Sequence, residues 1–235
     1  MNLPTHLNTD HATGLKAGEV IAQFEIGHAK NFIYLILDWS TKKAAIVDPW
    51  KDLALPLRAL HENGFELESI LLTHTHWDHV GGVGPLLEAH PRLKVFVGKD
   101  DLHRVEEVLP AGTDLHVLRD EEAIQVGTLS LQVIHTPGHS AGEFCYFLKT
   151  GSANSVPYLF TGDTVFIRDC GRTDFEDGSN REMFASIQKI KRLPEETIFL
   201  VGHHYAKECA TTLKQELISS APFRCNSVEE LANLP

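Results

Sequence analysis

The chain has 235 residues, 43% of them hydrophobic, enough to bury one sizeable core or two half-domains that share one. Its formal net charge of −11, from 32 acidic against 21 basic side chains, disfavours a nucleic-acid partner, because phosphate binding needs clustered Lys and Arg. No apolar stretch approaches the roughly 20 residues of a membrane-spanning helix, and neither a C-x-x-C pair nor an apolar leader in MNLPTHLNTDHATG points to oxidised export. A reduced, cytoplasmic setting with no membrane partner is expected.

The N-terminal part reads as short strands, VIAQFEIG (20–27), NFIYLILD (31–38) and KAAIVDP (43–49), an antiparallel meander. LALPLRALHENG (53–64) has helical spacing and a stop at Asn63 and Gly64, and SILLT (69–73) is an apolar run suited to a buried strand. Strand, helix and buried strand make a crossover unit. The alternation continues with a helix at 83–90, a strand at 93–98 and a helix at 100–109.

From residue 123 strands return: AIQV, TLSLQVIHT, EFCYFLKT and PYLFTGD, then a helix over about 180–192. KIKR (189–192) is the only basic cluster and suits the C-terminal end of that helix. TIFLVGHHY (197–205) adds a strand, KECATTLKQELI (207–218) a long helix, and SVEELANL (227–234) a short helix with Ser227 as N-cap and Glu230 at N3. Two strand-rich halves, each with helices on one side, predict an α/β (α+β) fold, a four-layer αββα sandwich. One domain spans 1–235, with residues 1–18 as an N-terminal arm and 206–235 as a short C-terminal helical tail.

The chemistry gathers where apolar strands stop. THTHWDH follows SILLT, HTPGHS (135–140) follows TLSLQVI, TGDT (161–164) follows PYLF, and GHHY (202–205) follows TIFLV. Polar ligands at strand ends sit on rigid supports, so residues distant in sequence can converge. His74 and His76, two positions apart, suit one ion, and Asp78 with His79 suits a second. With His139, Asp163 and His203 they make seven N and O ligands, more than one tetrahedral ion takes, so two metals bridged by Asp163 is the economical arrangement. The absence of thiolate points to Zn²⁺, Fe or Mn²⁺ in a catalytic site that keeps room for water.

T-H-x-H-x-D-H followed by spaced His, Asp and His resembles the metallo-β-lactamase superfamily. TGDTVFIRDCGRTDFEDG (161–178) and GHHY are similar to its glyoxalase II (hydroxyacylglutathione hydrolase) and persulfide dioxygenase branches, and the likeness runs from about VIAQF to GHHY. The resemblance implies the metallo-β-lactamase fold, one metal at His74, His76 and His139, and a second at Asp78, His79 and His203 with Asp163 between them. It also implies thioester hydrolysis by a metal-bridging hydroxide that Asp78 orients, with Arg172 and Tyr205 near the glutathione portion of a small thioester or thiol-derived substrate. Arg172 has the alternative of bracing its loop against Asp174 or Asp177.

The alternative activity is a mononuclear-iron persulfide dioxygenase using His74, His139 and Asp163; lactone or ester hydrolysis on the same metals is a third. A non-enzymatic binding domain is the reading from a different class. His135 is expected to orient its turn, His204 either tunes the second metal from outside or is surface, and His28, His61, His90, His103 and His116 are ordinary polar positions. Phe166, Ile167 and Phe175 line the site or belong to the core. A homodimer is compatible with the sequence.

Overall fold

Every residue of β2 (Asn31–Asp38) is buried. Phe32, Tyr34 and Ile36 face one hydrophobic cluster and Ile33, Leu35 and Leu37 another, as the period-two alternation of a strand requires. A strand covered on both faces belongs inside a layered sandwich. The computed structural model describes residues 15–106, 109–150 and 155–234.

The first sheet has six strands in chain order: β1 (Ile21–Ile26), β2, β3 (Lys43–Val47), β4 (Glu66–Leu71), β5 (Lys94–Val97) and β6 (Asp114–Val117). β1 to β3 form the antiparallel meander, and β3 to β6 pair in parallel. The parallel pairs need crossovers, which α1 (Ala54–Glu62), α2 (Trp77–Val80), α3 (Val83–Ala89) and α4 (Leu102–Val105) supply. Leu60, Val83, Leu86, Leu87 and Val105 from these helices pack with Ile33, Leu35 and Leu37.

The second sheet contains β7 (Ala123–Val126), β8 (Leu129–His135), β9 (Phe144–Leu148) and β10 (Tyr158–Gly162). A small hairpin of β11 (Val165–Phe166) and β12 (Asp169–Cys170) follows, and the sheet resumes with β13 (Ile198–Val201) and β14 (Thr211–Thr212), in the order β14-β13-β10-β9-β8-β7. Leu131, Val133, Tyr146 and Phe160 meet Phe32, Tyr34 and Ile36 between the sheets. Tyr34 Oη donates to Val201 O and Tyr146 Oη to Leu72 O, each at 2.6 Å, so two buried phenols tie one sheet to the other near the strand ends. α5 (Asn180–Ile190) is capped by Ser179, whose hydroxyl accepts from Glu182 N, and it buries Met183, Ser186, Ile187 and Ile190 at helical spacing. α6 (Leu213–Ser219), α7 (Ala221–Arg224) and α8 (Val228–Ala232) complete the outer layer, with Ser227 capping α8 through Glu230 N. The layers are therefore helix, sheet, sheet, helix, as expected.

Two elements differ from the sequence reading. The helix expected over 207–218 begins only at Leu213: the β-branched Thr211 and Thr212 pair with Phe199 and Ile198 as an edge strand, and Thr212 then forms a capping box with Gln215. The 206–235 segment is thus not purely a helical tail. The helix expected over 100–109 is a 3₁₀ turn at Lys99–Asp101 followed by α4, and Glu107 and Val108 lie outside the described residues. β6 escaped the sequence reading because an edge strand reading DLHV, partly exposed at every position, has no apolar run. Most of the expected N-terminal arm, residues 1–14, lies outside the described residues. Among the described residues no helix is long and apolar enough to cross a membrane, and none of the four cysteines is in a disulfide.

The shifted helix start is testable in urea. Thr212→Ala removes the cap and is expected to destabilise the fold by about 1 kcal/mol, whereas Lys207→Gly, outside the helix, should stay within about 0.5 kcal/mol. A helix that began at 207 would lose about 1 kcal/mol from the glycine instead.

Candidate metal centre

Each ligand-bearing segment leaves a strand at one edge of the sandwich. β4 runs on into Thr73, His74, Thr75 and His76, which lead into α2 with Asp78 and His79; His139 sits in the loop between β8 and β9; Asp163 follows β10; His203 follows Gly202 at the end of β13. His74, His79, His139, Asp163 and His203 are all buried. The structure brings all seven residues together. Ligand atoms of His74, His76 and His139 lie within 4.8 Å of one another, as do those of Asp78, His79 and His203. Asp163 stands between the groups, with Oδ1 3.5 Å from His79 Nε2 and Oδ2 3.6 Å from His139 Nε2 and 3.4 Å from His203 Nε2.

The outward-facing ring nitrogens are already engaged. His139 Nδ1 donates to Arg172 O at 2.8 Å, His203 Nδ1 to Ala29 O at 2.9 Å, and His79 Nδ1 to Asp48 Oδ2 at 3.0 Å. Those bonds assign the tautomers and turn three Nε2 lone pairs inward. His79 Nε2 and His203 Nε2 then face each other at 3.2 Å, and His76 Nδ1 faces His139 Nε2 at 2.9 Å. Two nitrogens bound to one Zn²⁺ at roughly 2.0–2.1 Å in a tetrahedron lie about 3.3 Å apart, close to this spacing. Buried His74 Nε2 and Asp163 Oδ1 have no hydrogen-bond partner among the described residues. Inward lone pairs and orphaned ligand atoms fit divalent cations. A third group, Asp48, His74 and His79, is also close enough to hold an ion. There the Asp48 carboxylate already accepts from Thr73 N, Thr73 Oγ1 and His79 Nδ1, which leaves it a bracing role.

The electrostatics follow the same geometry. Burial and the neighbouring imidazoles hold His74 well below its ordinary value, and burial with His139 brings His76 down to about 4. Burial also opposes charge on His79, but Asp163 and Asp48 outweigh it and carry His79 up to about 9. Burial alone would raise Asp163, yet His79, His203 and His139 hold it well below the usual carboxylate range. Without a metal, a proton on His79 takes the place of the cation.

Three supporting carboxylates escaped the sequence reading. Asp48 braces His79 and Thr73. Asp101 accepts from Thr75 N, Ser140 Oγ, Gly142 N and Arg104, so it ties the His74–His76 loop to the His139 loop. Glu143 Oε1 accepts from Asp163 N at 2.8 Å and lies 3.8 Å from His74 Nδ1. Asp48 directly follows β3 and precedes Pro49, a strand-end position like those of the candidate ligands.

The ligands open onto a cleft of about 460 Å³ lined by Trp77, Phe166, Asp169, Cys170, Arg172, Phe175 and Tyr205 as well. Tyr205 stacks on His203 with centroids 4.8 Å apart. Arg172 reaches the cleft, but its guanidinium forks onto Asp174 at 2.9 and 2.8 Å and lies over the Phe175 ring. Phe166 and Phe175 line the cleft, whereas Ile167 is buried and does not. His204 bonds Glu25 at 2.6 Å and packs at a tilt against Phe32, and His135 bonds Ala141 O across its loop. Gly162, at φ +49°, lets β10 pass against Thr73. A Cβ on Gly81 would meet the Trp50 ring and one on Gly82 the Trp50 and Pro49 carbonyls, so both glycines make room for the segment around Trp50.

Comparison with known proteins agrees with this arrangement. Residues 26–203 match the family described as Metallo-beta-lactamase superfamily. A hydroxyacylglutathione hydrolase from Erwinia tasmaniensis is 39% identical over 176 residues, 74% of this chain and 62% of the relative, so the chain spans less than two thirds of that protein. A probable hydroxyacylglutathione hydrolase of Schizosaccharomyces pombe is 32% identical over 212 residues, covering 88% of this chain and 76% of the relative. The crystal structure of ETHE1 from Myxococcus xanthus superposes with a TM-score of 0.78 at 27% identity, covering 92% of each chain. With the family match spanning most of the sequence and the αββα layers carrying its ligands on strand ends, the chain belongs to the metallo-β-lactamase superfamily.

Proposed function

We propose that the chain is a metal-dependent hydrolase that cleaves a thioester, such as a hydroxyacylglutathione. The observation that carries this reading is the pair of ligand groups sharing Asp163 on the floor of an open cleft; the names of the curated relatives support the thioester. His74, His76 and His139 would hold one divalent ion and Asp78, His79 and His203 the other, with Asp163 shared; imidazole and carboxylate suit Zn²⁺, Fe or Mn²⁺. Two such ions supply Lewis acidity that polarises a carbonyl and lowers the pKa of water.

The chain's own groups do the rest. Asp78 is held by Asn31, whose Nδ2 donates to Asp78 O at 3.0 Å and to Oδ2 at 3.2 Å, which leaves Oδ1 to accept a hydrogen bond from the attacking water and orient it. Asp48, Ala29 O and Arg172 O fix three imidazoles in the tautomer that binds metal. Cys170 lines the cleft, but burial and Asp169 push its thiol up to about 12, so it stays protonated and is not a nucleophile. A thiolate leaving group, with an ordinary thiol pKa of about 8.5, needs little protonation. Tyr205, Arg172 and Phe175 line the cleft, and the Tyr205 and Arg172 side chains would touch the thiol portion.

The one-iron dioxygenase is the second reading, favoured by the likeness to ETHE1. It would use His74, His139 and Asp163 and leave His76, Asp78, His79 and His203 without a metal role. Metal content and S-D-lactoylglutathione hydrolysis on one sample separate the two. About two ions per chain with cleavage support the hydrolase; one iron, oxygen uptake with glutathione persulfide and no cleavage overturn it.

Two further outcomes follow from the geometry. Asp48→Ala should weaken metal binding by roughly 10–100-fold, measured by competition with a chelator, because His79 loses its orienting partner. The His79 shift also sets a pH dependence in the metal-free protein. Its folded pKa of about 9 lies above the ordinary 6.5, so its contribution to stability is full below pH 6.5 and is lost as pH rises through 9. Melting of the metal-free protein should fall across that window, and loading metal in weak buffer at pH 7.5 should release a proton that His79→Ala does not.

A further inference from the structure

A second cleft, of about 560 Å³, lies beside the first and shares His76 and Trp77 with it. Val80, Gly81, Gly84 and Pro85 of the α2–α3 segment line it, with Thr75 and Arg104. Several of the side-chain polar groups there are committed to neighbours. Thr75 Oγ1 donates to Asp101 O at 2.8 Å, and His76 Nδ1 faces His139. Arg104 forks between Asp101 at 3.2 Å and Asp177 at 2.6 Å. The cleft therefore offers mainly apolar surface, from Trp77, Val80 and Pro85, with the Arg104 charge paired.

Trp77 forms the wall between the two clefts and is 69% exposed, an unusual position for so large an apolar side chain. It is not loose: its ring packs edge-on against Trp50, with centroids 5.1 Å apart. Trp50 is itself buried, and a Cβ on Gly81 would run into its ring. An indole held in place in the unliganded protein binds an apolar group with little further ordering.

We infer that this second cleft receives the acyl group of the thioester, and that the acyl group is apolar and bulky, of aryl-acetyl or branched aliphatic type. The inference rests on the thioester reading and names the substrate class of that site. The two arms of a thioester diverge from the carbonyl carbon. Biological thiol carriers bear amides, which suit the more polar cleft with Asp169, Arg172 and Tyr205. The apolar cleft is left to the acyl arm, and a cleft of about 560 Å³ is large enough for a group of that kind. A three-carbon hydroxyacyl group would leave most of it to water and most of its apolar wall uncovered.

The test holds the thiol constant and varies the acyl arm: S-acetyl-, S-D-lactoyl- and S-phenylacetylglutathione with the metal-loaded protein. Phenylacetyl is expected to exceed acetyl and lactoyl by about 10-fold or more in kcat/KM, the size of effect a filled apolar pocket gives. Trp77→Ala should collapse that preference to within about 3-fold, mainly through KM, while Trp77→Phe keeps most of it. Because Trp77 is exposed, the variant is expected to fold, and an unchanged circular dichroism spectrum and metal content check this. Equal or better turnover of the lactoyl ester, or equal losses on all three esters in Trp77→Ala, overturns the inference and leaves the hydrolase reading standing. No cleavage of any ester by protein carrying two metals overturns the hydrolase reading, and the acyl cleft falls with it.

Discussion

Lone pairs that face one another inside a protein must have something positive between them, and that constraint organises this molecule. His79 Nε2 and His203 Nε2 point together because each ring has committed its other nitrogen to a fixed acceptor, Asp48 in one case and Ala29 O in the other. Asp163, close to both imidazoles and to His139, supplies negative charge that a proton only partly answers. Divalent ions would answer it more fully, and the same ions would make the cleft above them reactive toward a carbonyl.

Such a cluster holds only if its supports do not yield. The ligands follow four strands drawn from both sheets, and the sheets are joined close by through Tyr34 on Val201 and Tyr146 on Leu72. Buried carboxylates then set the loops. Asp101 gathers donors from both sides of the His74–His76 and His139 loops, and Glu143 fixes the backbone entering Asp163. Replacing any one of these with an apolar residue would leave buried donors without acceptors, a loss of about 1–3 kcal/mol for each orphaned group. The rigidity of the centre is thus a property of the hydrogen-bonded loops as much as of the core.

Much of this was legible in the sequence, because buried strands announce themselves as apolar runs and the ligands sit where those runs stop. SILLT into THTHWDH and TIFLV into GHHY carry five of the seven candidate ligands, and the layer order follows from strands and helices alternating along the chain. The helix at Leu213 was misplaced because KECATTLKQELI carries helical composition throughout, while Thr211 and Thr212 are claimed by a neighbouring strand, a tertiary contact that no local pattern encodes. Asp48 and Asp101 stayed hidden for a related reason: each is one carboxylate whose partners lie 25 to 41 residues away. The part played by Gly81 is likewise a tertiary matter: only the fold sets it against the Trp50 ring, and through that ring against Trp77.

The central claim is that two ions share Asp163. Anomalous diffraction from metal-loaded crystals tests it most directly. Two peaks about 3.5–4 Å apart on either side of the Asp163 carboxylate are the predicted result. A single peak among His74, His139 and Asp163 in fully loaded protein, with nothing beside Asp78, His79 and His203, would contradict it.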